Sequence, residues 1–384
     1  MGHERNTADV LIVGAGFFGL ATAWALLVRD TTLRVMVLDA GDFASGGSGR
    51  NGSGFRLQWS REFNIQLVVD SLEVFRNGED LLGYRGGLDV KHQGYLMLAH
   101  SAAALESLQQ AVDLQQILGV PSQILSADEC LKVQPGLNLS GLRGASYCWK
   151  DGTLSPFKWL DALYGFVRRA GGVVKFQTSV SSVTSLPSSF LVTANEEQYH
   201  AKKVVICTDW AAPELLSPLA VNLPIRRAAK EALITGATRP MVRTVLMSGM
   251  VGLGIKQLDR GNIIITLSRS TNCPNGELDS PRPWLSECCR KATNLLPSLS
   301  EVSVLRQWNG YISRTPDMQP VLGRTEIDNL YVAVSAYKGL MISPQVGRIM
   351  ADIILDGHST HVAAGALSAS RFKADALVPE TLTI

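Results

Sequence analysis

The run Val10-Leu-Ile-Val13 leads directly into Gly14-Ala-Gly16-Phe-Phe-Gly19, and this junction leaves few folds open. Four apolar, mostly β-branched residues suit a strand buried on both faces. The Gly-x-Gly-x-x-Gly spacing suits the turn from such a strand into a helix. Residues from about Phe17 to Val28 are apolar nearly all round, as expected of a helix packed under a sheet. Arg34–Leu38 reads as a second strand, and Asp39 closes it twenty residues after Gly19. Together these form a βαβ dinucleotide fingerprint. Gly14 allows the tight turn, Gly16 lets the backbone approach a pyrophosphate, and Gly19 allows close helix–strand packing. Asp39 can accept from ribose hydroxyls.

The fingerprint does not separate NAD from FAD. A second stretch of small residues, Ala44-Ser-Gly-Gly-Ser-Gly-Arg50-Asn-Gly-Ser-Gly54, begins five positions after Asp39. Such a loop presents backbone N–H groups that can form an anion nest, and Arg50 adds a charge able to reach a phosphate. The segment therefore reads as a second wall for a large, resident cofactor.

Other classes are excluded by composition. A formal net charge of +2 over 384 residues gives no reason to expect nucleic acid or a membrane surface as partner. No charged residue falls between Val10 and Val28, but the glycines break that run into strand, turn and helix, so no transmembrane span is expected. The six cysteines, Cys130, Cys148, Cys207, Cys273, Cys288 and Cys289, include no CxxC spacing. They predict neither zinc nor an iron–sulfur cluster, and free thiols suit a cytoplasmic protein.

Farther along, helices are expected over Phe63–Asn77, Ala102–Leu118, Ser126–Lys132 and Phe157–Ala170, the third opened by a Ser126–Glu129 capping box. Strands are expected at His92–Ala99, within 173–183, at Leu191–Ala194 and at Lys203–Cys207. Residues 224–270 alternate short strands with polar turns and predict an antiparallel sheet. A loop over 271–283 and a helix at Leu285–Leu296 follow. The tail returns to the first pattern, with a strand at Leu330–Val334, a glycine turn and a helix from Pro344 to Leu355, where Pro344 suits a first helical turn.

These motifs carry a family resemblance. The GAGFFG run with Asp39, the GSGRNGSGFRLQW stretch, GIKQLDRGNIII, and the tail WNGYISRTPDMQPVLG with NLYVAVSAYKGLMISPQVG resemble the D-amino acid oxidase and glycine/sarcosine oxidase superfamily. Within it the likeness is strongest to flavin-bearing β subunits of dye-linked proline and hydroxyproline dehydrogenases, with opine-oxidising subunits nearby. The resemblance implies an α/β fold with an α+β substrate part: a discontinuous Rossmann-like FAD-binding domain (1–90, 150–222 and 310–384) and a mixed, largely antiparallel substrate-binding sheet (91–149 and 223–309). It implies non-covalent FAD. On that likeness Gly14, Gly16, Phe17, Phe18, Gly19, Asp39 and Ala40 belong to the ADP-binding motif. Ser45, Ser48, Arg50, Asn51 and Gly52 belong to the second cofactor loop, and Val180 to the adenine contact. Gly310, Lys338, Gly339, Leu340 and Met341 lie about the flavin ring.

The departures are informative. Gly310 stands near the place where sarcosine oxidases attach flavin to cysteine. Ile312 replaces the arginine with which glycine oxidase binds a carboxylate, and Met341 replaces a sarcosine oxidase lysine. Thr208-Asp209 puts a carboxylate where the family's backbone passes the cofactor. The remaining candidates for a substrate carboxylate are Arg56, Lys256 and Arg314, with Arg56 first because a bidentate arginine suits a buried carboxylate and it follows the second cofactor loop. Tyr311 and Tyr337 are candidate pocket walls. The reaction implied is oxidation of an amino acid or secondary amine by hydride transfer to flavin N5. No acid or base is assigned, no metal is called for, and the scattered histidines have no role. Electrons pass either to O₂, as in an oxidase, or to partner subunits, which could hold the protein at the inner face of a membrane. An NAD-dependent dehydrogenase and a non-catalytic flavoprotein scaffold are the competing readings.

Overall fold

The computed structural model describes residues 6–268 and 282–382, so Cys273 and most of the expected 271–283 loop lie outside the described residues. Its last two positions, Arg282 and Pro283, open the helix Arg282–Leu295 instead.

Two eight-stranded sheets organise the chain. The first runs in the order 321–324, 330–334, 197–206, 7–13, 35–38, 173–175. Its inner strands are parallel: Thr7–Val13 lies between Val35–Leu38 and Glu197–Ile206, and Leu330–Val334 extends the set. A β-meander, 180–185 and 190–194, pairs antiparallel onto the start of 197–206. The apolar run Val10–Val13 is buried throughout, which is why it reads as a continuous hydrophobic stretch rather than an alternating one.

Helices Phe17–Arg29, Glu62–Arg76, Pro156–Arg169 and Gly339–Leu355 cover one face of this sheet. The expected capping box at Ser126 is formed, with reciprocal Ser126–Glu129 hydrogen bonds. The expectation for Pro344 is corrected. The helix begins at Gly339, and Pro344 lies inside it. Proline there leaves the carbonyl four residues back, that of Leu340, without its usual N–H. The Ser343 hydroxyl donates to that carbonyl at 2.9 Å and accepts from Trp159 Nε1 at 2.9 Å. This local replacement lets the helix run through a residue that normally ends one.

The second sheet has the order 304–314, 226–235, 263–267, 253–257, 245–248, 95–99, 144–148, 122–125. It is antiparallel apart from the pair 245–248 with 95–99. Side chains alternate across it. Leu96, Leu98, Leu246, Leu253, Ile255 and Ile265 form a core with helix Arg282–Leu295. The opposite face presents Tyr95, Met97 and Val245, and in the same pleat Lys256.

Strand Val304–Arg314 is the long edge of this sheet. Through Ser313 it meets the ends of the first sheet's strands. Among the described residues, no helix is long and apolar enough to cross a membrane, and no cluster of three or more His, Cys, Asp or Glu side chains could hold a metal ion.

Candidate active site

A cleft of ≈ 500 Å³ opens at the C-terminal ends of the parallel strands, the place where open α/β sheets bind ligands. Gly14, at the end of the first strand, has φ +108°, and a Cβ there would lie 2.6 Å from the Cys207 carbonyl oxygen. A Cβ on Gly19 would lie 1.8 Å from the Gly14 oxygen. Both positions thus require glycine, for backbone approach within the protein itself. The helix that follows turns its N-terminus toward the cleft.

Gly16, Phe17, Phe18, Asp39 and Ala40 line the cleft. Asp39 accepts from the backbone of Ala15 at 2.6 Å and of Gly41 at 2.9 Å, tying the first and second turns together. A carboxylate has about four acceptor positions, so capacity for a ribose remains. The second loop contributes Ser45, Ser48 and Asn51, and Ser48 Oγ accepts the Phe17 N–H at 3.1 Å. Val180 lines the far end, beside Thr178 and Ser179.

Other expected residues sit elsewhere. Arg50 donates to the Asn309 carbonyl at 3.2 Å rather than turning to the cleft, because its aliphatic stem packs on Gly310, whose hypothetical Cβ would lie 3.2 Å from Arg50 Cβ. Gly52 and Gly310 are not among the lining residues, and of the expected residues Lys338, Gly339, Leu340 and Met341 only Gly339 reaches the cleft. Lys338 is 1 % exposed. Its Nζ donates to the Met318 carbonyl at 2.5 Å and to Gln319 Oε1 at 3.0 Å, and burial pulls its pKa down to about 7 against the opposing pull of Glu380.

Thr208, Asp209 and Trp210 also line the cleft. The carboxylate of Asp209 accepts four hydrogen bonds, from the N–H and hydroxyl of Ser313 (3.1 and 2.8 Å) and of Ser335 (3.0 and 2.8 Å). The Ser313 hydroxyl in turn accepts the Ala336 N–H at 3.0 Å. Ala336 and Tyr337 both have positive φ, 43° and 66°, a conformation uncommon in such residues. Asp209 therefore pins the strained turn at the floor of the cleft. Sequence reading located Asp209 but not its partners, which lie more than a hundred residues away.

The substrate candidates divide. Tyr311 and Tyr337 line the cofactor cleft itself; Tyr311 packs on Trp210 with ring centroids 5.1 Å apart. Arg56, Lys256 and Arg314 do not line it. Arg56 is 3 % exposed. Its guanidinium lies 3.8 Å from the Trp59 ring centroid, and its Nη2 donates to the Leu382 carbonyl at 2.5 Å. The buried Lys256 Nζ donates to Ser53 Oγ, and burial lowers its pKa to about 7. Arg314 Nε is buried without a partner among the described residues.

Sequence reading missed a buried carboxyl beside Arg56. Asp151 accepts the Leu57 N–H at 2.6 Å and Gln58 Nε2 at 2.8 Å, and Gln58 accepts Ser146 Oγ at 2.6 Å. Burial pushes Asp151 up to about 7. Only the odd placement of an Asp next to the Gly152-Thr153 strand hinted at it.

A parallel sheet whose glycine turn opens into a cleft, roofed by the edge of an antiparallel platform, is suited to a dinucleotide cofactor. The chain belongs to the DAO family of FAD dependent oxidoreductases, whose model matches residues 9–353. It is 25% identical to the sarcosine oxidase beta chain of Rhodobacter capsulatus, over 99% of this chain and 92% of that protein. It is 24% identical to glycine oxidase of Geobacillus kaustophilus, over 90% and 92%. The fold is that of L-proline dehydrogenase from P. horikoshii (TM-score 0.90, 24% identity, 96% and 99% coverage). The protein is an FAD-dependent oxidoreductase. The cleft fits that cofactor: a helix N-terminus, Asp39 and the Thr208 hydroxyl, which has no partner among the described residues, all face it.

Proposed function

We propose that this chain is the flavin-bearing component of a dehydrogenase that oxidises a proline- or hydroxyproline-like amino acid or another secondary amine to its imine and passes the electrons to a partner subunit. FAD, when bound, supplies a two-electron acceptor that takes a hydride at its N5 atom. The chain supplies position. Arg56 binds the substrate carboxylate, and its stacking on Trp59 fixes the plane of the guanidinium. Held in this way, the substrate would present its Cα–H bond to the cofactor, which would take the hydride with both C–H electrons while the amine lone pair formed the C=N bond. The amine must be unprotonated to do so. Lys256, with its pKa lowered by burial to about 7, is able to hold or release a proton near neutral pH.

The observation that carries this reading is the buried Arg56 guanidinium stacked on Trp59. A buried arginine of this kind suits recognition of a carboxylate. The similarity to the beta chain of sarcosine oxidase, one component of a larger enzyme, supports a multi-subunit assembly, as does the absence of any CxxC spacing for an electron relay within the sequence. The division into an FAD-binding part (1–90, 150–222, 310–384) and a substrate-binding part (91–149, 223–309) belongs to the same proposal.

The test is a panel of proline, hydroxyproline, sarcosine, glycine and N-carboxyalkyl amino acids, mixed anaerobically with the FAD-loaded protein. Bleaching of the flavin band by the cyclic amino acids, with dye reduction faster than peroxide release in air, is the expected outcome. Bleaching by none of them ends the catalytic reading. Rapid stoichiometric peroxide instead assigns an oxidase, with Lys256 in its protonated form as the feature that favours O₂ reduction.

A further inference from the structure

The segment Val378–Leu382 is tied down at every residue. The Val378 carbonyl accepts Gln319 Nε2 at 3.0 Å, and the Pro379 carbonyl accepts Arg61 Nε at 2.9 Å. Glu380 is 5 % exposed. Its carboxylate accepts from Ser60 N (3.1 Å), Ser60 Oγ (2.5 Å), Asn64 Nδ2 (2.8 Å) and Leu382 N (3.0 Å). Thr381 N donates to Ser60 Oγ at 3.2 Å. The Leu382 side chain packs with Tyr95, Met97 and Val245 on the open face of the second sheet, and its carbonyl ends on Arg56 Nη2.

Among the described residues, the contacts this leaves to the Arg56 guanidinium are neutral, namely the Leu382 carbonyl, the Met97 sulfur at 3.5 Å and the Trp59 ring, while the Asp151 carboxyl acts on it only through space. Sulfur is a weak acceptor, so the carbonyl is the directional contact. A neutral carbonyl aims a guanidinium without cancelling its charge, whereas a carboxylate in that place would aim it and neutralise it. The acid of the segment, Glu380, is instead saturated by Ser60, Asn64 and its own backbone. We propose that Val378–Leu382 is the positioning element of the substrate carboxylate subsite: Leu382 aims Arg56, and Glu380 is the anchor that holds Leu382 in place. The inference rests on the proposed role of Arg56 as the carboxylate ligand.

The experiment compares wild type with Glu380→Ala, Glu380→Gln and a chain lacking residues 378–384, all loaded with FAD. Binding of benzoate and of neutral benzamide is followed by perturbation of the flavin absorbance, which requires no turnover. Glu380→Ala is expected to raise the benzoate Kd about tenfold or more, leave the benzamide Kd and the flavin content within about twofold, and raise KM for an amino-acid substrate with little change in kcat. Glu380→Gln, which keeps an acceptor for Ser60 and Leu382, is expected to recover most of the benzoate affinity. The deletion is expected to match or exceed the alanine variant; if it does not fold, the two point variants decide the matter. Equal weakening of benzoate and benzamide would mark the segment as merely structural. Tighter benzoate binding in Glu380→Ala would mark it as a plug. Failure of wild type to bind benzoate would remove the carboxylate subsite. Each of these overturns the proposal. Absence of amine-dependent bleaching with benzoate binding intact ends the catalytic reading and leaves this one standing.

Discussion

Asp209 Oδ1 lies 2.8 Å from the Ser313 hydroxyl, joining the turn after one sheet's strand to the edge strand of the other. The same oxygen takes the hydroxyl and the N–H of Ser335. One carboxylate thus fixes three chain segments at the floor of the cleft. This accounts for an acidic residue in a position where a small residue is expected.

Asp209→Ala is expected to cost about 2–4 kcal/mol, since four hydrogen bonds to a charged acceptor are lost and their donors are left unpaired. Asp209→Asn keeps one carbonyl acceptor and tolerates the positive φ of this residue, 52°, so it should cost less. Chemical denaturation of the FAD-free proteins gives the order; equal stability of wild type and alanine variant would refute the clamp.

Acid precipitation is expected to release FAD into the supernatant, because Gly310 offers no thiol and packs against the Arg50 stem. In the same assay Asp39→Ala should lower flavin occupancy while leaving the fold intact. It removes the acceptor shared by Ala15 and Gly41 as well as the proposed ribose contact, about 1.5–3 kcal/mol. Flavin retained in the pellet contradicts the first expectation, and full occupancy in the variant contradicts the second.

Arg56→Lys is expected to lower kcat/KM about 30–1000-fold through KM, because a point ammonium cannot replace the stacked, two-pronged guanidinium. Arg314→Lys and Lys256→Met are the controls. A larger KM effect at either of them transfers the carboxylate to that residue.

The pH dependence of stability should carry the mark of Asp151. Burial raises its pKa from 3.8 to about 7, so between those values the folded protein holds a proton that the unfolded chain has released. Stability therefore falls as pH rises through this window. Asp151→Asn, which stays neutral, should flatten the change by about 1 kcal/mol or more between pH 5 and pH 8. Parallel pH curves for the two proteins, from denaturant titrations, would remove Asp151 as the cause.

Ser343→Ala is expected to destabilise by about 1–3 kcal/mol, more than an ordinary buried Ser→Ala. It strands both the Trp159 indole N–H and the Leu340 carbonyl that Pro344 leaves open. A thermal midpoint within a degree of wild type would show that the helix copes without the relay.

Much of the first sheet is legible in sequence because its signals are local. Val10–Val13, the three glycines and Asp39 sit within thirty residues, and each has a short-range geometric reason. The antiparallel strands over 224–270 are legible for the same cause, with turns such as LDRG closing them. The Gly339 helix start is not legible, since proline chemistry points to Pro344 and only a tertiary partner, Trp159, makes the earlier start possible. Arg50 shows the same limit: its charge suggests a phosphate, but its stem is claimed by Gly310, some 260 residues away. Asp209, Asp151 and Glu380 acquire meaning only from donors on distant segments, which spacing cannot reveal.

The first sheet draws neighbouring strands from residues 7–13, 35–38, 197–206 and 330–334, and this has a consequence for how the protein is made. During synthesis, the outer edge of strand 197–206 waits without its neighbour until residues 330–334 have cleared the ribosome. An unpaired apolar edge of that kind is a template for wrong partners. Ala333, Ser335 and Gly339, which complete the cleft, emerge at the same late moment, so flavin can be captured only after nearly the whole chain has been translated. Nascent chains stalled before residue 330 should depend on chaperones for solubility, and the onset of flavin binding would then report that the last strand has been placed.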